Sequence, residues 1–365
     1  MGFECESARP AGAAASAATG ALIGLALGDA LGFPTEFDDV PAILATYGPW
    51  RRMALPDPAL VTDDTQMTLA LGRGLRTALE HGELRPRSLV RPVREEYVAW
   101  WRSPDNDRAP GATCLRACEL LSDPERPWAE AGRIGSKGCG ANMRVAPVGL
   151  VPGLSPRQRS GAAQLQSALT HGHPTALAAG DLTAYAVRAL ADGAPPAGLP
   201  GLLRTYALDQ RTVYREDWLG DLWRRAQDPS ATAFIVRGWD ECLGALDRLD
   251  AALAAPDPEA DPCLATGAGW IAEEALATGL LCFLLFPGEP LTALRRAACS
   301  SGDSDSIACL TGAFAGAWGG AGAWPEEWAA RIEYRAELLA LGEAWDVRDT
   351  RDVRDAEEHG GPADA

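Results

Sequence analysis

The stretch that decides the fold is Thr19-Gly20-Ala21-Leu22-Ile23-Gly24-Leu25-Ala26-Leu27-Gly28-Asp29-Ala30-Leu31-Gly32. Glycine recurs at every fourth position among Ala and Leu, and the alternation expected of a strand is missing. A second row, Gly312, Gly316 and Gly320, repeats the spacing near the other end of the chain. Glycine inside a helix costs about 0.8–1 kcal/mol against alanine. Two such rows therefore call for helix axes that approach unusually closely.

Working outward, apolar residues at three- and four-residue spacing predict helices at about 14–32, 65–81, 87–102, 111–122, 156–170, 174–192, 198–207, 214–226, 230–254, 268–285, 290–300, 305–319 and 325–344. Strand-length β-branched runs are nearly absent, and no 30–45-residue repeat marks a solenoid. The expectation is an all-α fold, with residues 1–345 as a single domain. The loop 255–267, rich in Pro and Asp, reads as a surface insertion. Residues 346–365 hold seven acids, three arginines and few large apolar groups, and are expected to form a disordered acidic tail.

The chain has 365 residues, 33 basic and 50 acidic, for a formal charge of −17. That balance argues against a broad phosphate-gripping face for nucleic acid, yet leaves room for an acidic pocket that holds a cation. With 47% hydrophobic and 23% charged residues, the composition is that of a globular protein. The apolar run from Ala11 to Leu27 lacks a basic leader and is broken by Asp29, so neither a signal peptide nor a membrane span is expected. Nine scattered cysteines form no Cys-x-x-Cys pair. Reduced, mostly buried thiols in a cytoplasm are the expectation. Lys137 is the only lysine, which with abundant Ala, Gly and Arg fits a high-G+C bacterial genome.

Two acidic clusters precede helical runs: Thr62-Asp63-Asp64-Thr65 and Ser301-Gly302-Asp303-Ser304-Asp305-Ser306. One Asp, Ser or Thr suffices to cap a helix, and each cluster offers more oxygen than a cap uses. Four carboxylates brought together would repel unless cations neutralised them, and all-oxygen donors suit Mg²⁺, Mn²⁺ or Ca²⁺ rather than zinc. Glu36 follows the first glycine-rich helix, past Pro34, as a loop acid or an ordinary exposed Glu. In Gly138-Cys139-Gly140-Ala141-Asn142-Met143-Arg144, small residues admit a ligand to the backbone, with Lys137 and Arg144 as candidate phosphate partners. The segment is neither a Walker A motif nor a dinucleotide fingerprint. Thr170-His171 opens a further helix.

In this order the elements resemble the ADP-ribosylglycohydrolase family, over roughly residues 15–325. The matching stretches are Gly28-Asp29-Ala30-Leu31-Gly32 with Glu36, Thr62 to Thr65, Gly138 to Arg144, Thr170-His171, and Gly302 to Ser306. The resemblance implies a compact orthogonal multi-helix bundle with a binuclear metal cleft holding two Mg²⁺ or Mn²⁺. Thr62, Asp63, Asp64, Asp303, Asp305 and Ser306 would be the ligands, with Ser306 standing where many members have Thr. Glu36, Asp64 and Asp305 would be catalytic, and Asp29 would support them from behind. Gly138, Cys139, Gly140, Asn142, Met143 and His171 would contact the substrate. The implied reaction is hydrolysis at the anomeric carbon of the distal ribose, releasing ADP-ribose from a modified protein or small molecule, with arginine-linked protein favoured and ADP-ribosylated nucleic acid ranked below. The alternative is a non-catalytic ADP-ribose-binding or crystallin-like relative. One departure stands out: some members carry an acid in an Asp-Ile/Val-Gly-x-Thr segment, and Ala109 occupies that place here, with Asp105 and Asp107 as upstream substitutes.

Overall fold

The computed structural model describes residues 8–80 and 82–359. Its helices of eight residues or more are α1 (Ala17–Gly32), α2 (Val40–Tyr47), α3 (Asp63–Glu80), α4 (Pro86–Trp101), α5 (Ala112–Leu121), α6 (Pro156–Ala168), α7 (Pro174–Ala191), α8 (Leu199–Gln210), α9 (Ala231–Ala254), α10 (Ala272–Leu285), α11 (Pro290–Ala298), α12 (Ser304–Gly319) and α13 (Arg335–His359). Among the described residues the only β-type pairings are three isolated bridges, so the all-α expectation holds.

The two glycine rows meet. Helices α1 and α12 run antiparallel with their backbones in contact. A Cβ added at Gly28 would lie 2.0 Å from the Ala308 carbonyl oxygen, and one at Gly312 would lie 1.9 Å from that of Gly24. Any side chain there would force the axes apart. The rows thus cost helix propensity but let the buried Leu22, Leu25, Ile307 and Leu310 reach the surrounding helices. Because the pair is antiparallel, the C-terminal end of α1 lies beside the N-terminal end of α12. A Cβ on Gly32 would fall 2.5 Å from Asp305 Cα.

The stretch Ala13–Thr35, 23 residues long, is apolar enough to cross a membrane by composition, but 83% of its most apolar window is buried inside the molecule. Its apolarity is consumed by α12 and α13. All eight described cysteines are free, and all but Cys263 are buried.

Three expected helices are reshaped. The stretch expected as one helix over 214–226 breaks at Gly220, whose φ is 56°. The stretch expected over 325–344 divides into Glu326–Ala329 and α13, because Glu333 N–H donates to Ala59 O and the Glu333 carboxylate accepts from Val61 N–H. Helix α10 starts at Ala272 because the backbone of residues 268–271 is bonded to the segments that carry the acidic and glycine-rich motifs, Asp303 N–H donating to Ala268 O and Cys139 N–H to Trp270 O. Helix α2 was not expected from the sequence. It is capped by Asp39, which accepts from Ala42 N–H.

Helix α13 continues past Trp345. Asp346 is buried and accepts from the backbone N–H groups of Ala18 and Thr19 and from the Thr19 hydroxyl, at 2.8, 3.1 and 2.7 Å. It satisfies donors at the first turn of α1 that have no partner within their own helix. Residues 360–365 of the acidic tail lie outside the described residues.

Candidate metal centre

Asp29, in the last turn of α1, is fully buried and ties α1 to α3. It accepts from Thr62 N–H and Thr65 N–H, both at 3.0 Å, from Thr62 Oγ1 at 2.9 Å and from Thr65 Oγ1 at 2.6 Å. This carboxylate caps α3 from a neighbouring helix, which leaves Asp63 and Asp64 free for another task. Glu36 is set by the turn Phe33–Thr35, where Thr35 Oγ1 bonds the carbonyls of Gly32 and Ala298, both at 2.7 Å. Ser304 Oγ donates to Gly32 O at 3.0 Å, fixing the start of α12 against the same turn.

The result is a cluster of carboxylates. Oxygens of Glu36, Asp303 and Asp305 all lie within 4.8 Å of one another. Asp63 accepts one bond, from Gly111 N–H at 3.3 Å. Asp64 Oδ2 is buried without any hydrogen-bond partner. Ser306 N–H donates to Asp305 Oδ1 at 2.9 Å. Burial, and then the neighbouring Asp305, push Glu36 up to about 9. Burial is also the first cause of the rise of Asp29 and Asp63 to about 7 and of the upward shifts at Asp64, Asp303 and Asp305. Such a group cannot remain charged together without a counter-charge. The donors are all oxygens, and Asp64 Oδ2 is a buried acceptor with nothing to accept, so the residues fit hard divalent cations. The sequence reading placed Glu36 apart from the ligands; here its carboxylate lies within ligand reach of Asp303 and Asp305.

The glycine-rich segment forms the adjoining wall. Cys139 N–H donates to Trp270 O at 3.1 Å, and Asn142 Nδ2 donates to Ala272 O at 3.1 Å, while Asn142 Oδ1 is buried without a partner. Met143 is buried, with its sulfur 3.9 Å from Ser306 Oγ. The His171 ring underlies Gly138 and Gly140, whose added Cβ atoms would lie 3.4 Å from Nε2 and 3.1 Å from Cε1. Burial holds this imidazole neutral, with its pKa lowered to about 3. Thr170 Oγ1 accepts from Arg144 at 2.7 Å and shares a second hydrogen bond with His171 Nδ1 at 2.8 Å. The other ring nitrogen, Nε2, faces the glycine wall.

Two expectations are corrected. Arg144 is not a phosphate partner: its guanidinium is buried on Tyr97 Oη, Gln166, Thr170 Oγ1 and Gly140 O, and stacks 4.6 Å from the Tyr97 ring. Lys137 is held by Glu241 and Glu273. Of the two acids upstream of Ala109, Asp105 accepts from Tyr334 Oη at 2.9 Å, and the exposed Asp107 lies 3.8 Å from Arg108.

The comparisons agree with this architecture. The sequence model of the family described as ADP-ribosylglycohydrolase matches residues 11–356. An ADP-ribosyl-[dinitrogen reductase] glycohydrolase of Rhodospirillum rubrum is 35% identical over 137 residues, 37% of this chain and 41% of that protein's length. ADP-ribosylhydrolase ARH3 of Mus musculus is 27% identical over 300 residues, covering 78% of this chain and 76% of the relative. A solved ADP-ribosylglycohydrolase-related protein complex superposes with a TM-score of 0.62 at 25% identity, covering 92% of this chain and 99% of its own. With the matched stretch running through both acidic motifs and the glycine wall, the chain belongs to the ADP-ribosylglycohydrolase family.

Proposed function

We propose that the protein is a metal-dependent ADP-ribosylhydrolase that cleaves the bond between ADP-ribose and a modified target, with arginine-linked protein as its first substrate. The observation that carries this reading is the buried carboxylate cluster where α1, α3 and α12 converge, in which Asp64 Oδ2 has no partner. Family membership supports the reaction class. Two Mg²⁺ or Mn²⁺ would be held by Thr62, Asp63, Asp64, Asp303, Asp305 and Ser306, and when bound would supply charge neutralisation and Lewis acidity.

The remaining work falls to the chain. Glu36, half-buried on its loop beside Asp303 and Asp305, is positioned to carry a proton to or from the reacting group. Carboxylates facing the anomeric carbon stabilise positive charge developing on the ribose ring. His171 stays neutral on the glycine-rich side, packed where side chains at Gly138 and Gly140 would otherwise lie, and supports the wall that would face the ribose and phosphates. Asp29 holds the α3 motif in place. The unbroken set of buried apolar side chains from Ala17 to Trp345 supports treating residues 1–345 as one functional unit.

The test measures ADP-ribose release from arginine-, serine-, glutamate- and nucleic-acid-linked conjugates, with Mg²⁺ or Mn²⁺ and with EDTA. Release from the arginine conjugate, lost in EDTA and restored by metal, is expected. Full activity after metal removal would sink the metal role. Uptake of ADP-ribose with release from no conjugate would leave the non-catalytic alternative standing.

A further inference from the structure

The residue after Glu36 is conspicuous. Phe37 has φ 71°, a left-handed conformation that is strained for a bulky side chain, yet it is 69% exposed and so gains little from burial. Its ring stacks on Trp270, itself 42% exposed, with centroids 5.4 Å apart and planes 18° from parallel. Trp270 belongs to a segment that touches both walls of the site. Its carbonyl accepts from Cys139 N–H, the Ala268 carbonyl accepts from Asp303 N–H at 2.9 Å, and a Cβ on Gly269 would lie 3.2 Å from Asp303 Cβ. The stacked rings therefore span the cleft, from the Glu36 loop to the segment that braces Asp303 and the glycine wall. Glu36 and the exposed Asp38 flank Phe37, so the π faces stand in an acidic surround.

We propose that Phe37 and Trp270, stacked on each other, form an aromatic clamp at the mouth of the carboxylate cluster whose exposed outer face reads the leaving side of the substrate by stacking a planar cation, the guanidinium of an arginyl conjugate. This deepens the hydrolase reading above and rests on it for the identity of the reacting bond. A guanidinium is flat, weakly hydrated and permanently charged, so it gains from an aromatic face and from nearby carboxylates together. A serine or glutamate leaving group offers no such plane or charge.

Phe37→Gly and Trp270→Leu test the clamp. Glycine relaxes the φ of 71°, so that variant loses the ring without a folding penalty. KM for an arginine-linked conjugate should rise about 3- to 30-fold with kcat little changed, while KM for a serine-linked conjugate stays within about twofold; Trp270→Tyr should restore most of the loss. Equal shifts for both conjugates, no shift for either, or a wild-type protein that cleaves only the serine conjugate would overturn the clamp while leaving hydrolysis intact. Direct titration reads the clamp without turnover: wild type should bind ADP-ribosyl-arginine more tightly than ADP-ribose, and both variants should lose that preference. If wild type releases ADP-ribose from no conjugate, the hydrolase reading fails, and equal affinity for the two ligands sinks the clamp separately.

Discussion

Two sets of buried carboxylates in this molecule behave oppositely. Asp181, in α7, accepts from Ser160 Oγ at 2.5 Å, Gln164 Nε2 at 2.8 Å and Tyr206 Oη at 2.8 Å, with Arg215 bonded to Ser160 behind them. Burial raises its pKa, and those three donors pull it back. Asp64, Asp303 and Asp305 instead face one another: Asp64 Oδ2 has no partner, and Asp305 raises the pKa of both Asp64 and Asp303. A buried acid that brings its own donors holds helices together; buried acids that face one another are arranged for something absent from the polypeptide. Asp29 shows both patterns side by side, since its four donors are the backbone and hydroxyl groups of the motif it supports.

The contrast can be broken most directly by substitution. Asp64→Ala and Asp305→Ala should abolish turnover and remove the thermal stabilisation by divalent metal, which for wild type is about 2.7 kcal/mol at a hundredfold excess over Kd. Their metal-free forms should melt no lower than wild type, because repulsion is relieved. Asp181→Ala should do the reverse, with stability falling by about 2–5 kcal/mol as its donors lose their acceptor and the metal response preserved. Differential scanning calorimetry with and without Mg²⁺ reads all of these. If Asp181→Ala also lost the metal response, the division between the two sets would collapse.

A second prediction concerns what brings the repelling acids together. Gly312→Ala places a Cβ 1.9 Å from Gly24 O, so α1 and α12 must separate. A cost of about 1–3 kcal/mol is expected, with metal affinity reduced because Asp29 and Asp305 move apart; isothermal titration with Mn²⁺ measures it. Gly322→Ala, with open space around it, should change neither.

The smallest effect tests His171. Its folded-state pKa of about 3 lies below the ordinary 6.5, so the unfolded chain binds the extra proton. Its contribution is fully present above about pH 6.5 and is lost as pH falls toward about 3. His171→Gln should flatten the decline in Tm across the upper part of that window, from pH 6.5 to 5. An unchanged slope would show that the imidazole is not buried neutral.

The periodic and local features were legible in the sequence. The glycine rows announced close helix packing, and the acidic runs at two helix starts announced more oxygen than a cap needs. What stayed hidden depends on partners distant in sequence. Arg144 reads as an anion binder until Tyr97, Gln166 and Thr170 converge on it from α4, α6 and the turn before α7. Residues 268–271 look helical, but Asp303 and Cys139 claim their carbonyls, so long-range bonds override local propensity. The same holds at Glu333, which Ala59, Val61 and Arg108 draw out of a helix. Phe37 gave no signal at all, since a positive φ at phenylalanine has no pattern to betray it.

The pairing of α1 with α12 also has a meaning in time. Ser304 reaches Gly32 across 272 residues of chain, so the two halves of the site are made far apart during synthesis. At about 5–20 residues per second, Asp63 and Asp64 emerge roughly 12–50 s before Asp303 and Asp305. Through that interval the nascent polypeptide carries half a binding centre and an uncovered glycine stripe. Maturation of the site is therefore a late event, completed only when α12 is available to dock.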